Sequence, residues 1–345
     1  MINNSTVTSP ASSNTDEAQL FRTRFSRVRD EVHKVIVGND AVLDGVLIAL
    51  VAGGHVLLEG VPGLGKTLLV RTLAQVLDLQ FSRIQFTPDL MPADVTGTTL
   101  LVEDAEGKSR RFQFAPGPLF SNLVLADEIN RATPKTQSAL LEAMQEQSVT
   151  VSGVTHHLGS PFFVLATQNP IEMEGTYPLP EAQLDRFMFK LKFERPNVTD
   201  LTSIINRTTA NRTAALEPVL SGTELLEMRE YARQVPIAPH VAAFAAQVII
   251  ASQPGGPSPE SVTRFVRYGS SPRGAQALVL CAKIRALLDG RYGVSQEDIR
   301  AVATPSLRHR IVLNFEGIAE GITTDRIVED VVKYVSIQSA AKYPG

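Results

Sequence analysis

The chain has 345 residues, of which 43% are hydrophobic and 20% are charged, the ordinary mixture of a soluble globular protein. This length exceeds what a single hydrophobic core commonly serves, so two domains are expected. A net charge of −3 gives no support for nucleic acid as the default partner. The single cysteine, Cys281, excludes an internal disulfide and suits a reducing compartment, so we expect a cytoplasmic protein.

The chain begins with a segment that carries no targeting pattern. Residues 1–16 are rich in Ser, Thr and Asn, and they lack both a basic start and an apolar run. They are therefore predicted to form a disordered tail. Residues 17–52 are predicted to be amphipathic helices that lead into the first strand. The most apolar segment, 46–54, is far too short for a membrane span.

The strongest local pattern is the run Gly60–Thr67, which follows an apolar strand-like stretch and matches the phosphate-binding motif G-x-x-x-x-G-K-[ST]. Glycines let the backbone approach a polyphosphate and aim several N–H groups at it. Lys66 is predicted to reach the β- and γ-phosphates, and the Thr67 hydroxyl to bind Mg²⁺. A solvated lysine and an N-cap threonine are the structural alternatives, and the intact motif argues against both.

Strand-like apolar runs recur through the first two hundred residues, with helical patterns between them. They are His55–Glu59, Phe81–Phe86, Leu123–Ala126, Phe162–Thr167 and Phe187–Phe193. This alternation predicts an α/β fold with a parallel sheet and helices on both faces. Ligands of such sheets bind beyond the carboxyl ends of the strands. We therefore expect the phosphate loop, Asp127, Asn169 and Arg186 to form one site.

Two segments interrupt the alternation. Residues 87–120 are predicted to form a short helix and a hairpin, and residues 149–158 a hairpin with a two-residue turn. His156 and His157 are adjacent in a strand and point to opposite faces, which argues against a shared metal site. We interpret both as surface residues of the hairpin.

A polar, Thr/Asn-rich segment at 196–212 is taken as the domain boundary. Beyond it the pattern is helical, and the run from Ser295 to Asp298 resembles a capping box with Asp in place of the usual Glu. Four helices are predicted there: Ser221–Val235, Val241–Ser252, Ala275–Leu288 and Ser295–Ala303.

Asp127 and Glu128 end an apolar strand some sixty residues after the phosphate loop. Asp127 is predicted to hold Mg²⁺, directly or through water, and Glu128 to polarise an attacking water as a general base. A strand that ends in Asp-Glu is by itself usually a solvated strand end. The position downstream of a phosphate loop favours the catalytic interpretation.

Three further residues are candidates for the same chemistry. Asn169 ends the fourth strand, where its amide would contact the γ-phosphate and the attacking water; an Asn that starts a turn is the alternative. Arg186 is predicted to stabilise transition-state charge, with a surface pair to Asp185 as the alternative. Arg273 opens a helix of the second domain and would report the nucleotide state to it. A solvated first-turn arginine is the alternative there, and the helix dipole disfavours it.

With these residues in place, the chain resembles the MoxR family of AAA+ ATPases from about residue 25 to its end. The segments that carry the resemblance are Gly60–Thr67, Gln85–Leu90, Leu125–Arg131, Ala166–Pro170, Gly175–Phe187 and Ser271–Arg273. The resemblance implies a P-loop αβα core with a five-stranded parallel sheet at 17–200 and an all-α lid at 213–345. It also identifies the inserts at 87–120 and 149–158 as features of this group.

The resemblance implies a role for each matching residue, apart from Arg131, which receives none. Asp127 and Glu128 resemble Walker B, Asn169 resembles sensor 1, Arg186 the arginine finger and Arg273 sensor 2. The implied catalytic residues are Lys66, Glu128, Asn169, Arg186 and Arg273. Thr67 and Asp127 would hold Mg²⁺. The implied ATP-binding residues are Val37, Gly38, Gly60, Pro62, Gly63, Leu64, Gly65, Lys66, Thr67 and Leu68.

Members of this family are similar to ring-forming, usually hexameric, chaperone-like ATPases that remodel or mature protein clients, often with partners that carry von Willebrand factor A domains. The resemblance thus implies a self-assembling ATP hydrolase. A nucleic-acid remodelling motor is one alternative, and the mildly acidic chain and the arginine-poor tip of the 149–158 hairpin argue against it. A slow ATP-gated scaffold is another, opposed by the complete catalytic set. Nothing marks the acceptor site of a small-molecule kinase.

Overall fold

The computed structural model describes residues 10–103, 110–170, 175–209 and 214–342. Its strands are, in chain order, β1 (His55–Glu59), β2 (Phe81–Gln85), β3 (Gly97–Glu103), β4 (Arg110–Pro116), β5 (Leu123–Asp127), β6 (Ser148–Val151), β7 (Val154–His157), β8 (Phe163–Gln168), β9 (Phe187–Lys192), β10 (Val266–Tyr268) and β11 (Val312–Leu313).

The helices surround these strands and dominate the second half of the chain. They are α1 (Pro10–His33), α2 (Asp40–Ala52), α3 (Lys66–Val76), α4 (Pro92–Thr96), α5 (Pro134–Glu146), α6 (Glu181–Leu184), α7 (Val198–Thr209), α8 (Gly222–Gln234), α9 (Pro239–Ala251), α10 (Glu260–Phe265), α11 (Pro272–Leu288), α12 (Gln296–Leu307), α13 (Phe315–Ala319) and α14 (Thr324–Lys342). Below, "core" denotes the described residues up to 209 and "lid" those from 214 onward.

Five parallel strands form the central sheet in the order β2-β5-β8-β1-β9. All five predicted strands are present, with ends within one residue of the prediction. Successive side chains alternate between two hydrophobic clusters: Val56 and Leu58 pack with helices α1 to α3 and the lid, whereas Leu57 packs with α4 and α5. Because both faces are buried, the strands appear in the sequence as continuous apolar runs. The predicted α/β class is confirmed.

The two predicted inserts pack against each other. The β3–β4 and β6–β7 pairs are both antiparallel hairpins, and the turn of the first, at 104–109, lies outside the described residues. Phe114 stacks on His156 with ring centroids 3.8 Å apart, and the Thr99 and Ser152 hydroxyls lie 3.2 Å apart. His156 is thus half-buried between the hairpins while His157 is exposed, so the interpretation as surface residues fits His157 and fits His156 only in part.

Two segments that the sequence assigned to tail or linker are helical. Residues 10–16 belong to α1, where Pro10 takes the first helical position that proline tolerates; residues 1–9 lie outside the described residues. The boundary segment 196–212 contains α7, and Asn197 caps it by accepting a hydrogen bond from the backbone N–H of Asp200 at 2.9 Å. Local capping therefore overrides a polar composition in this segment.

The lid contains all four predicted helices, lengthened by a few residues at several ends. The capping box at Ser295 is confirmed: Ser295 Oγ accepts from the Asp298 N–H, and the Asp298 carboxylate accepts from the Ser295 N–H at 2.8 Å. Helices α10, α13 and α14 and the small β10–β11 sheet were not predicted. The lid packs on α2 and on strand β9. Within the described part of the chain, no helix has the length and apolarity to cross a membrane.

Candidate functional site

The phosphate loop leaves the carboxyl end of β1 and ends where α3 begins at Lys66. Gly63 and Gly65 have left-handed backbones with φ of +83° and +87°, which only glycine adopts without strain. A Cβ added at either position would meet nothing within 4 Å, so the concave side of the loop is open. At Gly60, by contrast, a Cβ would lie 2.7 Å from that of Phe193. The loop thus has room for an anion on one side and tight packing on the other.

Lys66 is the cation of this loop. Its side chain is buried, and its ammonium donates a hydrogen bond to the carbonyl of Gly60. Burial lowers the pKa of Lys66, while the nearby carboxylates of Asp127 and Glu128 act in the opposite direction. The ammonium is therefore held inside the loop, facing two acidic groups.

Asp127 lies at the end of β5, between side chains from both neighbouring strands. Thr167 on β8 donates to its Oδ1 at 2.7 Å, and Arg83 on β2 donates to its Oδ2 through Nη2 at 2.7 Å and Nε at 3.1 Å. Sequence reasoning missed Arg83 and Thr167. Only the strand order shows that β2 and β8 flank β5, although a charged residue inside a strand was a signal that could have been noticed.

Glu128 turns sharply out of the strand. Its φ of 56° is left-handed, a costly conformation for a non-glycine residue and one that clusters at functional sites. The Thr167 hydroxyl accepts its backbone N–H at 2.8 Å. Its carboxylate accepts hydrogen bonds from Gln85 Nε2 at 3.0 Å and Arg131 Nη1 at 2.9 Å. Arg131, which the sequence left without a role, is thus a direct partner of Glu128.

These groups line one cavity of about 380 Å³ at the carboxyl edge of the sheet. Asn169, buried just beyond the end of β8, completes it. The structure therefore brings nine predicted site residues together, although it does not test their roles. The lining residues are Pro62, Gly63, Gly65, Lys66, Thr67, Leu68, Arg83, Gln85, Asp127, Glu128 and Asn169.

A second, mostly apolar cavity of about 290 Å³ adjoins the first and shares Gly63, Gly65 and Leu68 with it. Its walls come from residues 35–39, the phosphate loop, the end of β9 and helix α7; they include Val35, Ile36, Val37, Leu64, Phe193, Pro196, Leu201 and Ile204. Val37, which was predicted to line an adenine pocket, lines this cavity. Gly38 is left-handed, and a Cβ there would come within 2.9 Å of the Asp200 carboxylate.

Arg186 and Arg273 lie elsewhere. Arg186 directly precedes β9, so it is at the amino edge of the parallel sheet, whereas the phosphate loop follows the carboxyl end of β1. Both arginines line a separate cavity of about 290 Å³ that also includes His55, Gln145 and Arg310. Within one chain, Arg186 therefore does not lie beside the phosphate loop, because a strand of five or six residues, about 17–20 Å long, separates the two edges.

Arg186 forms no ion pair in this cavity among the described residues, although Asp185 also lines it. Its Nη1 donates to the carbonyl of Leu141 at 2.5 Å, and its buried Nε has no hydrogen-bond partner. Among the described residues, no carboxylate forms an ion pair with it. The alternative of a pair with Asp185 is therefore wrong, since that carboxylate binds Arg310 instead, at 2.9 Å. Arg186, which is half-buried, thus has no ion-pair partner among the described residues.

The residues of the first cavity suit Mg²⁺. The Thr67 hydroxyl and the Asp127 carboxylate supply the oxygen ligands that this ion prefers, and both line the cavity. Across the described ranges, no cluster of three or more His, Cys, Asp or Glu residues is present. Mg²⁺ at a nucleotide site needs none, because it takes one or two protein ligands and completes its shell with phosphates and water.

Comparisons with known proteins agree with this geometry. The model of the ATPase family associated with various cellular activities (AAA) matches residues 55–189, and that of the AAA lid domain matches residues 260–331. A crystal structure from Cytophaga hutchinsonii, of a protein described as an inferred ATPase, superposes with a TM-score of 0.87 at 42% identity. It covers 94% of this chain and 98% of that one. The fold and the phosphate loop define a nucleotide-binding AAA ATPase with a helical lid.

Two relatives show to which family of AAA ATPases the chain belongs. The chain is 41% identical over 315 residues to Chaperone MoxR1 of Mycobacterium tuberculosis, which covers 91% of this chain and 82% of that protein. It is 32% identical over 341 residues to Protein MoxR of Methylorubrum extorquens, with 91% and 94% covered. The chain belongs to the MoxR family of AAA+ ATPases.

Proposed function

We propose that this chain hydrolyses ATP with Mg²⁺ at a site completed by a neighbouring copy, in a ring that uses the energy to remodel protein clients. One observation carries the shared site: Arg186 and Arg273 lie together at the amino edge of the sheet, opposite the phosphate loop, and Arg186 forms no ion pair among the described residues. The cavity around the phosphate loop needs such a cation for transition-state charge, and a second copy has one to offer.

Within one chain, each residue of the first cavity has a distinct task. The loop N–H groups and Lys66 bind the triphosphate, and the adenine packs in the apolar cavity beside Val37. Thr67 and Asp127 would hold Mg²⁺, which when bound would supply positive charge to the triphosphate. Asn169 orients the attacking water, and Glu128 takes its proton.

The proposed assembly follows from the positions of the phosphate loop and the arginine pair at opposite edges of the sheet. A contact in which one edge of a subunit meets the opposite edge of the next is heterologous, and such contacts generate closed rings when the rotation closes. The resemblance to the family gives six as the expected number of subunits. Binding of ATP then needs one chain, and hydrolysis needs two.

The client is proposed to be a protein. The name Chaperone MoxR1 of one relative supports this, and so does the surface of the β3–β4 hairpin, where Leu100, Leu101 and Phe112 are exposed, the last by 79%. A partner with a von Willebrand factor A domain is part of the same proposal. A nucleic-acid motor is the second candidate, and an ATPase assay with and without DNA separates the two, since only that motor is stimulated by DNA.

Mixing two inactive variants tests the shared site. Arg186→Ala keeps a complete phosphate-loop cavity but offers no cation, whereas Glu128→Gln offers the cation but lacks the base. Each variant alone should be nearly inactive. An equimolar mixture should recover up to about a quarter of wild-type turnover, because about a quarter of random subunit contacts place an intact Glu128 opposite an intact Arg186. Turnover per wild-type subunit should also rise with protein concentration. No recovery, together with a flat concentration dependence, would contradict the proposal.

A further inference from the structure

The carboxylate of Asp185 joins the core to the lid beside both arginines. Asp185 belongs to the core and is 17% exposed. Its two oxygens accept hydrogen bonds from Ser271 Oγ at 2.9 and 2.8 Å, and its Oδ1 also accepts one from Arg310 Nε at 2.9 Å. Both donors belong to the lid. One half-buried carboxylate of the core thus holds two separate segments of the lid.

Arg310 extends this junction into the backbone of the core. Its guanidinium, only 3% exposed, donates to the carbonyls of Phe187 at 2.7 Å, Asp185 at 3.1 Å and Met188 at 3.2 Å, and also to that of Ser306. Three of these carbonyls belong to Asp185, Phe187 and Met188, on either side of Arg186, and that of Ser306 belongs to helix α12 of the lid. Arg310 of the lid therefore binds the backbone on both sides of Arg186. Removing the Asp185 carboxylate would leave the buried Arg310 guanidinium with neutral acceptors only.

The same carboxylate is one step from each of the two cavity arginines. Arg186 is its covalent neighbour. Ser271, which donates to Asp185, is the N-cap of α11 and accepts the backbone N–H of Arg273 at 3.1 Å. The Arg273 guanidinium itself lies 3.9 Å from Asp185 Oδ2. A shift of Asp185 would therefore displace Arg186 and Arg273 together.

We infer that Asp185 is a positioning residue that fixes Arg186 of the core and Arg273 of the lid as one rigid pair, so that both enter the neighbouring subunit's site together. This inference rests on the proposed function, in which the arginines act on a neighbouring copy. It predicts that core and lid of one chain do not hinge at this junction. The pair then arrives at the neighbour's phosphate, or leaves it, as a unit.

The first test is Asp185→Asn in the full chain. The amide keeps the shape of the side chain but loses the charge that holds Arg310. Affinity for ATP should stay at the wild-type value, because the variant's own phosphate loop is at the other edge of the sheet. The kcat should fall about tenfold or more, the usual effect of losing a hydrogen bond between charged groups. A kcat equal to that of the wild type would overturn the inference.

Mixing experiments separate positioning from a general effect on the fold. Asp185→Asn mixed with Glu128→Gln should recover turnover, since the second variant presents an intact arginine pair to the first. Asp185→Asn mixed with Arg186→Ala should recover none, because neither presents one. If the first mixture stays inactive while Arg186→Ala with Glu128→Gln recovers, Asp185 serves its own chain and the inference fails. If that reference mixture also stays inactive, the shared site fails, and the inference with it.

Variants at Ser271 keep the test valid if Asp185→Asn does not fold. Ser271→Thr retains a hydroxyl that both caps α11 and donates to Asp185, so its kcat should match the wild type. Ser271→Ala removes the hydroxyl, so its kcat should fall and should recover on mixing with Glu128→Gln. Equal kcat for the Thr and Ala variants would overturn the inference.

Discussion

Glu128 shows at the scale of one residue how a proposed catalytic group is held. Gln85 and Arg131 fix its carboxylate, and the left-handed backbone directs it into the phosphate cavity. Glu128→Gln preserves the shape and some of these contacts but cannot take a proton. Turnover should therefore fall at least a hundredfold while ATP affinity is retained, measured by phosphate release and by equilibrium binding. Glu329→Gln, on the exposed side of α14, is the matched control. Near-normal turnover in Glu128→Gln would refute the assignment.

His55 makes a pH-dependent contribution to stability. Its Nδ1 accepts the backbone N–H of Val164 at 3.0 Å, so its Nε2 carries the proton and donates to the carbonyl of Met144 at 3.1 Å. Burial lowers the pKa of His55 to about 4. The unfolded chain, with a histidine pKa near 6.5, therefore binds more protons than the folded one between these values. The stabilisation is complete above pH 6.5 and is lost as the pH falls towards 4.

The lowered pKa of His55 predicts a measurable difference in how stability depends on pH. From pH 7.5 to pH 5, the wild type should lose about 2 kcal/mol more of its unfolding free energy than His55→Gln, which keeps a donor and an acceptor but does not titrate. Urea unfolding at the two pH values measures this. The buried His309, whose pKa is also lowered, is present in both proteins and cancels. An equal loss in the two proteins would show that His55 does not titrate in this range.

The residues of the phosphate loop could be predicted because their chemistry is written in eight consecutive positions. Arg83 could not, because its role exists only once β2 lies beside β5 and brings the guanidinium to Asp127. Gln85 and Arg131 likewise become partners of Glu128 only after the strand and the turn have formed. Contiguous motifs are visible in a single sequence, whereas contacts across the sheet depend on strand order.

At the scale of an element, the start of α12 depends on Asp298. This residue is 2% exposed; it caps the helix with Ser295 and binds Arg291 through both of its oxygens, at 2.6 and 2.8 Å. Asp298→Ala removes the reciprocal cap and the charged pair, and should lower the unfolding free energy by about 2–3 kcal/mol in chemical denaturation. Glu297→Ala, at the adjacent exposed position, should change it by less than about 0.5 kcal/mol. Similar losses in both variants would contradict this account.

The elements also show where periodicity suffices and where it does not. The central strands were predictable because Leu57, Val124 and Val164 are buried on one face and their neighbours on the other, which leaves continuous apolar runs. Periodicity alone does not show which end of the sheet Arg186 occupies. Its place directly before β9, a strand of a parallel sheet, puts it at the amino edge.

For the whole molecule, nucleotide binding should appear as added stability. At an ATP concentration a hundredfold above Kd, the folded state should gain about 3 kcal/mol and the Tm should rise accordingly. Lys66→Ala should abolish the rise, because the buried ammonium is the main cation of the loop. Glu128→Gln should keep it, and Lys333→Ala, an exposed position on α14, is the control for loss of a positive charge. An undiminished rise in Lys66→Ala would show that nucleotide binds elsewhere.

Helix α7 is placed to affect the rate at which nucleotide would leave the cavity proposed for the adenine. It forms a wall of the cavity proposed for the adenine, yet none of its residues is buried, and Val198, Leu201 and Ile205 are largely exposed. If the adenine binds there as proposed, substitutions on this helix should change how long the nucleotide product stays bound without disturbing the sheet, the carboxylates or the arginine pair. Product release and catalysis would then be separately adjustable, and proteins with the same proposed catalytic residues could differ widely in the length of their cycle.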